Sequence, residues 1–418
     1  MAAKRNATQL FLCALSFLLS SASFSWGQVG TGGYASGPSD ATLTVGNWLV
    51  SPSVFLGGFY DSNPNQNATG QASNFAGRVV PSIAAETGDG IHRSSFYGMM
   101  DARGYLETGA NSTVAAHLDF TQQYQPLEDL TFTARADYTR QKDLFSTFGI
   151  DRSTVNLNPT GVGLSPVVNP QTYNQYTGFL AVQKDFGSAF LGFQGSASSL
   201  VYDSTPANAQ SPNGVTYTGA GRGGIWLTPW LNTFVEAMID KRQYAIGGFD
   251  SQGFRTTAGF QTDQIGLVRG EIFAGYQQEG FDSPLNSVGG AVIGGSLVYD
   301  PFPELNIRAS VNETLGVSQQ PTAISSIGSA TRVTTSLLET SYSLAADWSA
   351  AVRVGYIRTD YVGATRLDNA WTGGATLKYS LWQNIALTLD YQHTDLRSNE
   401  PLQSFLRDVV SLGATYRY

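Results

Sequence analysis

The sequence holds a single cysteine, Cys13, in 418 residues. That excludes a disulfide framework and any multi-cysteine metal site. Charge is scarce too: Asp, Glu, Lys and Arg make up 13% of the chain, about half the usual share of a soluble protein. The formal net charge of −8 argues against a nucleic-acid partner, which selects for a basic surface. The three histidines, His92, His117 and His393, are far apart and no acid or histidine cluster has metal-ligand spacing, so no metal or other cofactor is expected. After the first 20 residues no apolar run approaches the roughly 20 residues that a membrane-crossing helix needs. An α-helical membrane protein is therefore excluded. What the chain does have is 46 glycines, 20 tyrosines and 23 phenylalanines.

The start of the chain reads as an address. Lys4 and Arg5 precede the apolar run Leu10 to Leu19, and Ser20, Ser21, Ala22 and Ser23 follow. A basic start, an apolar centre and a small-residue exit mark a secretory signal peptide, with cleavage after Gly27 or Ser25.

Beyond residue 28 the pattern is period two. Leu130, Phe132, Ala134, Ala136 and Tyr138 alternate with Thr131, Thr133, Arg135, Asp137 and Thr139. Val114, Ala116, Leu118 and Phe120 alternate with Thr113, His117, Asp119 and Thr121, and the same holds around Ile385 to Tyr391 and Val268 to Tyr276. Successive strand residues point to opposite faces, so these are strands with one apolar and one charged face. The pattern repeats in about 18 segments of the length that a tilted membrane strand requires, about 9 to 11 residues or more. Tight connections near Gly187, Pro229, Pro301 to Pro303, Asp347 and Gln383 alternate with longer ones at 61–72, 142–170, 203–213, 319–328 and 396–402. Short turns at one end and long loops at the other are the pattern of outer-membrane barrels. The expected fold is all-β, a transmembrane antiparallel barrel of about 18 strands, with 16 as the alternative and both termini periplasmic. A soluble propeller or sandwich fits less well, because its strands are shorter and its interior must be dense and apolar.

The chain ends Ser411-Leu412-Gly413-Ala414-Thr415-Tyr416-Arg417-Tyr418. This resembles the assembly signal of Gram-negative outer-membrane barrels, with Tyr418, Tyr416 and Gly413 in its places. Leu406, Val410, Leu412 and Ala414 extend the same lipid-facing row. The implied partners are outer-membrane lipid and the barrel-assembly machinery, and the implied location is the bacterial outer membrane. At the other end, Trp48-Leu49-Val50-Ser51-Pro52, Gly57 to Pro64 and Arg78-Val79-Val80-Pro81 resemble the opening of the second family of putative β-barrel porins. The resemblance implies a channel associated with surface-polysaccharide (exopolysaccharide) production. Three regions follow: signal peptide 1–27, short periplasmic segment 28–47, and barrel 48–418.

An 18-stranded barrel is wide enough to hold an aqueous channel. The candidate lining residues, assigned inward by parity, are Asp101, Arg103, Asp119, Arg135, Asp137, Arg222, Glu236, Asp240, Arg255, Arg269, Glu271, Arg308, Arg353, Asp390 and Arg407. Rings of charge tune solute selectivity; the plainer role is pairing and hydrating the wall. After residue 27 there are 18 arginines against 4 lysines, and guanidinium forks suit carboxylate and phosphate. Loop 142–170, with Lys142, Asp143, Asp151 and Arg152, is the candidate constriction; the alternative is a rim-covering surface loop. Trp48, Tyr124, Phe186, Trp230, Trp348 and Trp382 lie near the short turns and read as an interfacial girdle. Sugar stacking would need an inward aromatic such as Phe234 or Phe273. Glu313 falls on the apolar phase of its strand and does not fit the pattern. No catalytic set stands out, and no enzyme is expected. The expected function is passive passage of hydrophilic solutes, with polysaccharide or a small solute as cargo. A closed structural or adhesion barrel and an outer-membrane enzyme are the rival readings.

Overall fold

The computed structural model describes residues 43–106, 112–142, 172–203, 213–245, 250–265, 267–282, 287–318 and 329–418. Among these there is no helix, and the strands follow one another in chain order. They are β1 (Leu43–Val45), β2 (Trp48–Asp61), β3 (Asn74–Gly88), β4 (His92–Tyr105), β5 (Thr113–Leu127) and β6 (Leu130–Lys142). Next come β7 (Thr172–Asp185), β8 (Ala189–Tyr202), β9 (Gly214–Thr228), β10 (Leu231–Tyr244), β11 (Ser251–Ile265), β12 (Val268–Phe281) and β13 (Val288–Phe302). The last six are β14 (Leu305–Ser318), β15 (Ser329–Ser343), β16 (Trp348–Tyr361), β17 (Leu367–Trp382), β18 (Ile385–Ser398) and β19 (Phe405–Arg417).

Strands β2 to β19 each pair antiparallel with their sequence neighbours, and β19 pairs back onto β2 from Val409↔Asp61 to Arg417↔Ser53. The result is a closed barrel of 18 strands with the short β1 added. Closure leaves no long unpaired edge, which is the condition for a sheet to survive in hydrocarbon, where each unsatisfied backbone group costs several kcal/mol. Strand β1 serves the same end. It pairs with Trp48 to Val50, the part of β2 that lies beyond the end of β19. The hairpin turns at Gly46, whose φ of +62° suits glycine.

The strand ends lie within a few residues of those the alternation predicts. The outward row is apolar and bare: Leu180, Ile239 and Ile293 are 67%, 67% and 70% exposed. In water such a surface would be a liability; against lipid tails it is a requirement. Exposed Tyr124, Phe186, Trp230, Trp348 and Trp382 gather at the short-turn end, as a girdle would. At the C-terminus Leu406, Val410, Leu412, Tyr416 and Tyr418 are all exposed on one row.

Glu313 sits in an unshifted β14–β15 ladder, opposite Thr334, so neither a bulge nor a slipped register there explains it. The β13–β14 ladder, however, stops at Gly295↔Val311. Beyond that point Glu313 accepts a hydrogen bond from Gln277 (3.1 Å) and faces Arg332 (3.6 Å), and Leu315 packs with Val288 and Ala330. The outward exposure of this phase of β14 ends where its pairing to β13 ends: Val311 is exposed, Leu315 buried.

Candidate functional site: the charged inner wall

The row opposite the bare apolar one carries the charges. Contacts that skip strands identify it as the concave side. Arg222 of β9 donates to Gln261 of β11 and Glu271 of β12, both at 2.9 Å. Arg353 of β16 reaches Asp390 of β18 at 2.7 Å. Strands are about 4.8 Å apart, so such reaches belong where side chains converge.

All fifteen residues assigned inward by parity lie off the bare outward row. Asp101, Arg103, Asp137, Arg222, Glu236, Arg255, Arg353 and Arg407 are buried. Asp119, Arg135, Asp240, Arg269, Glu271, Arg308 and Asp390 are half-buried. The structure sorts them into local clusters. Asp101 is held by Arg78 and Arg103, each at 2.7 Å. Asp119 pairs with Arg135. Beside them His117 faces Asp137 (3.3 Å) and Thr139 (3.0 Å). Arg269 meets Asp300 at 3.0 Å. Arg308 donates to Asn306 at 3.0 Å and lies opposite Glu339 in the β14–β15 register.

The β9–β12 sector is the densest. The Arg222 guanidinium lies 3.5 Å from the centroid of Phe234, and Arg255 lies 4.9 Å from that of Phe273. Glu236, Glu271 and Thr257 complete the cluster. Phe234 and Phe273 therefore do face inward, but the chain's own arginines occupy the ring face that a sugar would need. Further along the wall Arg242 meets Asp240 (3.1 Å) and Glu279 (3.8 Å). Gly253 of the intervening β11 makes room for the Glu279 side chain, since a Cβ there would lie 2.8 Å from the Gln278 carbonyl and closer still to the Glu279 carboxylate.

The wall changes along its length. Towards the long connections it is buried: Asp61, Asn74, Asp101, Thr331, Thr359 and Asp368 are all under 5% exposed. Apolar groups join them there, among them Phe59 with Val409, Tyr173 with Leu200, and Val333, Ile357, Ala370, Leu396 and Phe405. Towards the short turns Ser53, Phe55, Thr388, Thr415 and Arg417 are half-exposed, whereas Phe190, Asn232 and Ala386 are buried there too. Of the candidate constriction 142–170 the structure describes Lys142, whose charge acts with those of Arg407 and Asp61 near the barrel seam; the rest lies outside the described residues.

Several wall residues escape the sequence reading: Asp61, Arg78, Arg242, Glu279, Arg366, Asp368, Lys378 and Arg417. Most have the right parity, and extending the alternation to the strand ends would find them. Arg407 and Asp61 form a 2.7 Å pair across the β19–β2 seam, and Arg366 and Asp368 a buried 2.8 Å pair at the start of β17. At the rim Arg140 donates two hydrogen bonds to Asp203 (3.0 and 2.5 Å), and this holds the Asp203 carboxyl below the usual carboxylate range.

Among solved structures, the barrel is similar to the siderophore receptor PirA from Pseudomonas aeruginosa, at 8% identity and a TM-score of 0.42, over 88% of this chain and 80% of that one. It is similar to the siderophore receptor PiuA from Acinetobacter baumannii, at 11% identity and 0.43, over 90% and 82%. It is also similar to the FrpB iron transporter from Neisseria meningitidis, at 9% and 0.44, over 90% and 82%. No curated protein matches the sequence. The family described as Putative beta-barrel porin 2 matches residues 39–418, the whole of the described barrel, and the chain belongs to that family.

Proposed function

We propose that the barrel lies in the bacterial outer membrane and acts as a porin-like conduit for the passive passage of hydrophilic solutes. The observation that carries this reading is the division of its two faces: an outward row of bare apolar side chains and an inward row of paired charges, amides and hydroxyls. Such a wall solvates a polar solute while the outer face meets lipid. Export by the segment 1–27 and insertion by the barrel-assembly machinery through the row ending at Tyr416 and Tyr418 are parts of the same reading. So is a role beside surface-polysaccharide export, which rests on the resemblance of the opening strands. Catalysis is not part of this reading.

The burial of the inner wall at the long-connection end favours a second reading, a closed structural barrel. Single-channel recording of the refolded protein in planar bilayers separates the two. Ohmic steps support the conduit; a silent but fully folded barrel overturns it.

A further inference from the structure

We propose that the β13–β14 joint is a lateral portal, through which the acyl chain of an amphipathic solute passes between the inner wall and the surrounding bilayer. It rests on the conduit reading for the route by which the solute reaches the joint.

Closure joins all the strands, but one joint is only half laddered. Strands β13 and β14 are in register from Phe302↔Leu305 to Gly295↔Val311, and no register joins Val288 to Gly294 with Asn312 to Ser318. The far sides of both strands stay paired, β13 to β12 as far as Val288↔Glu279 and β14 to β15 as far as Ser318↔Ser329. Among the described residues no other joint leaves two facing strands unpaired over such a length.

Side chains that skip a strand hold this joint. Arg332 of β15 donates to the Gly289 carbonyl of β13 at 2.9 Å, and Gln277 of β12 donates to Glu313 of β14 at 3.1 Å. Arg332 and Glu313 lie 3.6 Å apart. Leu315 and Ala330 pack with Val288, and Phe281 packs against them. These contacts join opposite phases. Glu313, Leu315, Ala330 and Arg332 continue the outward row of Val311 and Leu338. Gln277 and Val288 belong to the inward row with Glu279. The long-connection halves of β14 and β15 therefore lap inside the edge of β13. A Cβ on Gly290 would stand 2.6 Å from the Arg332 Nη2 atom, so glycine there lets the guanidinium lie against β13.

Such a lapped joint suits an acyl chain. Parting a full ladder would strand backbone groups in hydrocarbon at high cost. Here the ladder is already absent, and only side-chain contacts must separate. Val288, Leu315 and Ala330 give the joint an apolar lining, which leads to the bare, lipid-facing Ile293 and Val311. Gln277, Glu313 and Arg332 offer donors and acceptors to a polar head. The rest of the inner wall at this end is buried, so the joint is where a solute meets a break in the sheet.

The test locks the joint. In V288C/L315C, made with Cys13→Ser, oxidation ties β13 to β14 and reduction frees them. The barrel is placed in phosphatidylcholine vesicles that contain a fatty acid with a diazirine on its chain. Light should label the inward Val292 and Gln277 in the native and reduced proteins, and oxidation should cut that labelling about tenfold. Outward Leu180 should be labelled equally throughout, and the inward Val409, away from the joint, not at all. Arg332→Gln, which needs no disulfide, should raise labelling about tenfold, the scale of one charge-assisted hydrogen bond. No labelling of Val292 and Gln277 in the native protein and Arg332→Gln, or equal labelling in the oxidised and reduced forms, overturns the portal. Ohmic steps in planar bilayers alongside that result leave the conduit standing. Lock-dependent labelling in a barrel that passes no current supports the portal and sinks the passive conduit.

Discussion

The Phe55 ring lies flat across Gly413, so that a Cβ on Gly413 would collide with its Cζ and Cε2 atoms and stand 2.7 Å from the Leu56 carbonyl. Gly413 belongs by sequence to the terminal assembly row. By structure it is on the opposite, inward phase, in register with Gly57 of β2, and it leaves the space that Phe55 fills beneath the Arg78 guanidinium. We expect Gly413→Ala to destabilise the barrel by about 1–3 kcal/mol, the usual cost of overpacking. Adding Phe55→Ala should recover part of that loss. Urea unfolding of the single and double variants in vesicles measures both. Absence of recovery would place the strain at the Leu56 carbonyl rather than at the Phe55 ring.

The seam of the barrel rests on a buried charge pair. Asp61 is fully buried and takes the Arg407 guanidinium through both oxygens, at 3.1 and 2.7 Å. Asp61→Asn leaves Arg407 buried without its counter-charge, and such a loss costs about 3–5 kcal/mol. The double substitution to leucine at both positions should cost less than either charge-deleting single. Thermal unfolding, followed by the mobility shift between folded and unfolded barrel, checks the order.

One turn carries a pH signature. The Asp89 carboxylate accepts backbone N–H bonds from Ile91 (3.0 Å) and His92 (2.7 Å), and the His92 bond is the main cause that lowers its pKa. A folded value below the unfolded one means that the stabilisation is full above the unfolded value of about 3.9 and is lost as pH falls through the folded value. Asp89→Asn should flatten that acid limb for the β3–β4 hairpin and leave neutral pH nearly unaffected. Hydrogen exchange at the Ile91 and His92 amides between about pH 2 and 5, the carboxylate range, reads the effect.

Arg222 balances two acids and covers one ring. Arg222→Gln would leave Glu236 and Glu271 without their shared cation and bare the Phe234 face. In a conducting barrel, the reversal potential under a salt gradient should then move towards cation preference. An unchanged potential would mean that ions do not pass this sector of the wall.

Much of the fold was legible in the residues themselves. Period-two alternation is a local property, dictated by the pleat, so strand number, strand ends and the inward phase of all fifteen lining candidates could be read from spacing. The apolar outward row at Leu180, Ile239 and Ile293 explains the low charged fraction, since half of every strand faces lipid. Other features depend on neighbours that are distant in sequence. The pairing of Arg222 with Glu271, the β19–β2 seam at Arg407 and Asp61, the covering of Phe234 and the notch at Gly253 all follow from register and barrel curvature. Alternation tells which face a side chain takes. Only the closed sheet, by setting which strands lie side by side and at what offset, decides whether a charge on that face is paired or stacked, and with which partner.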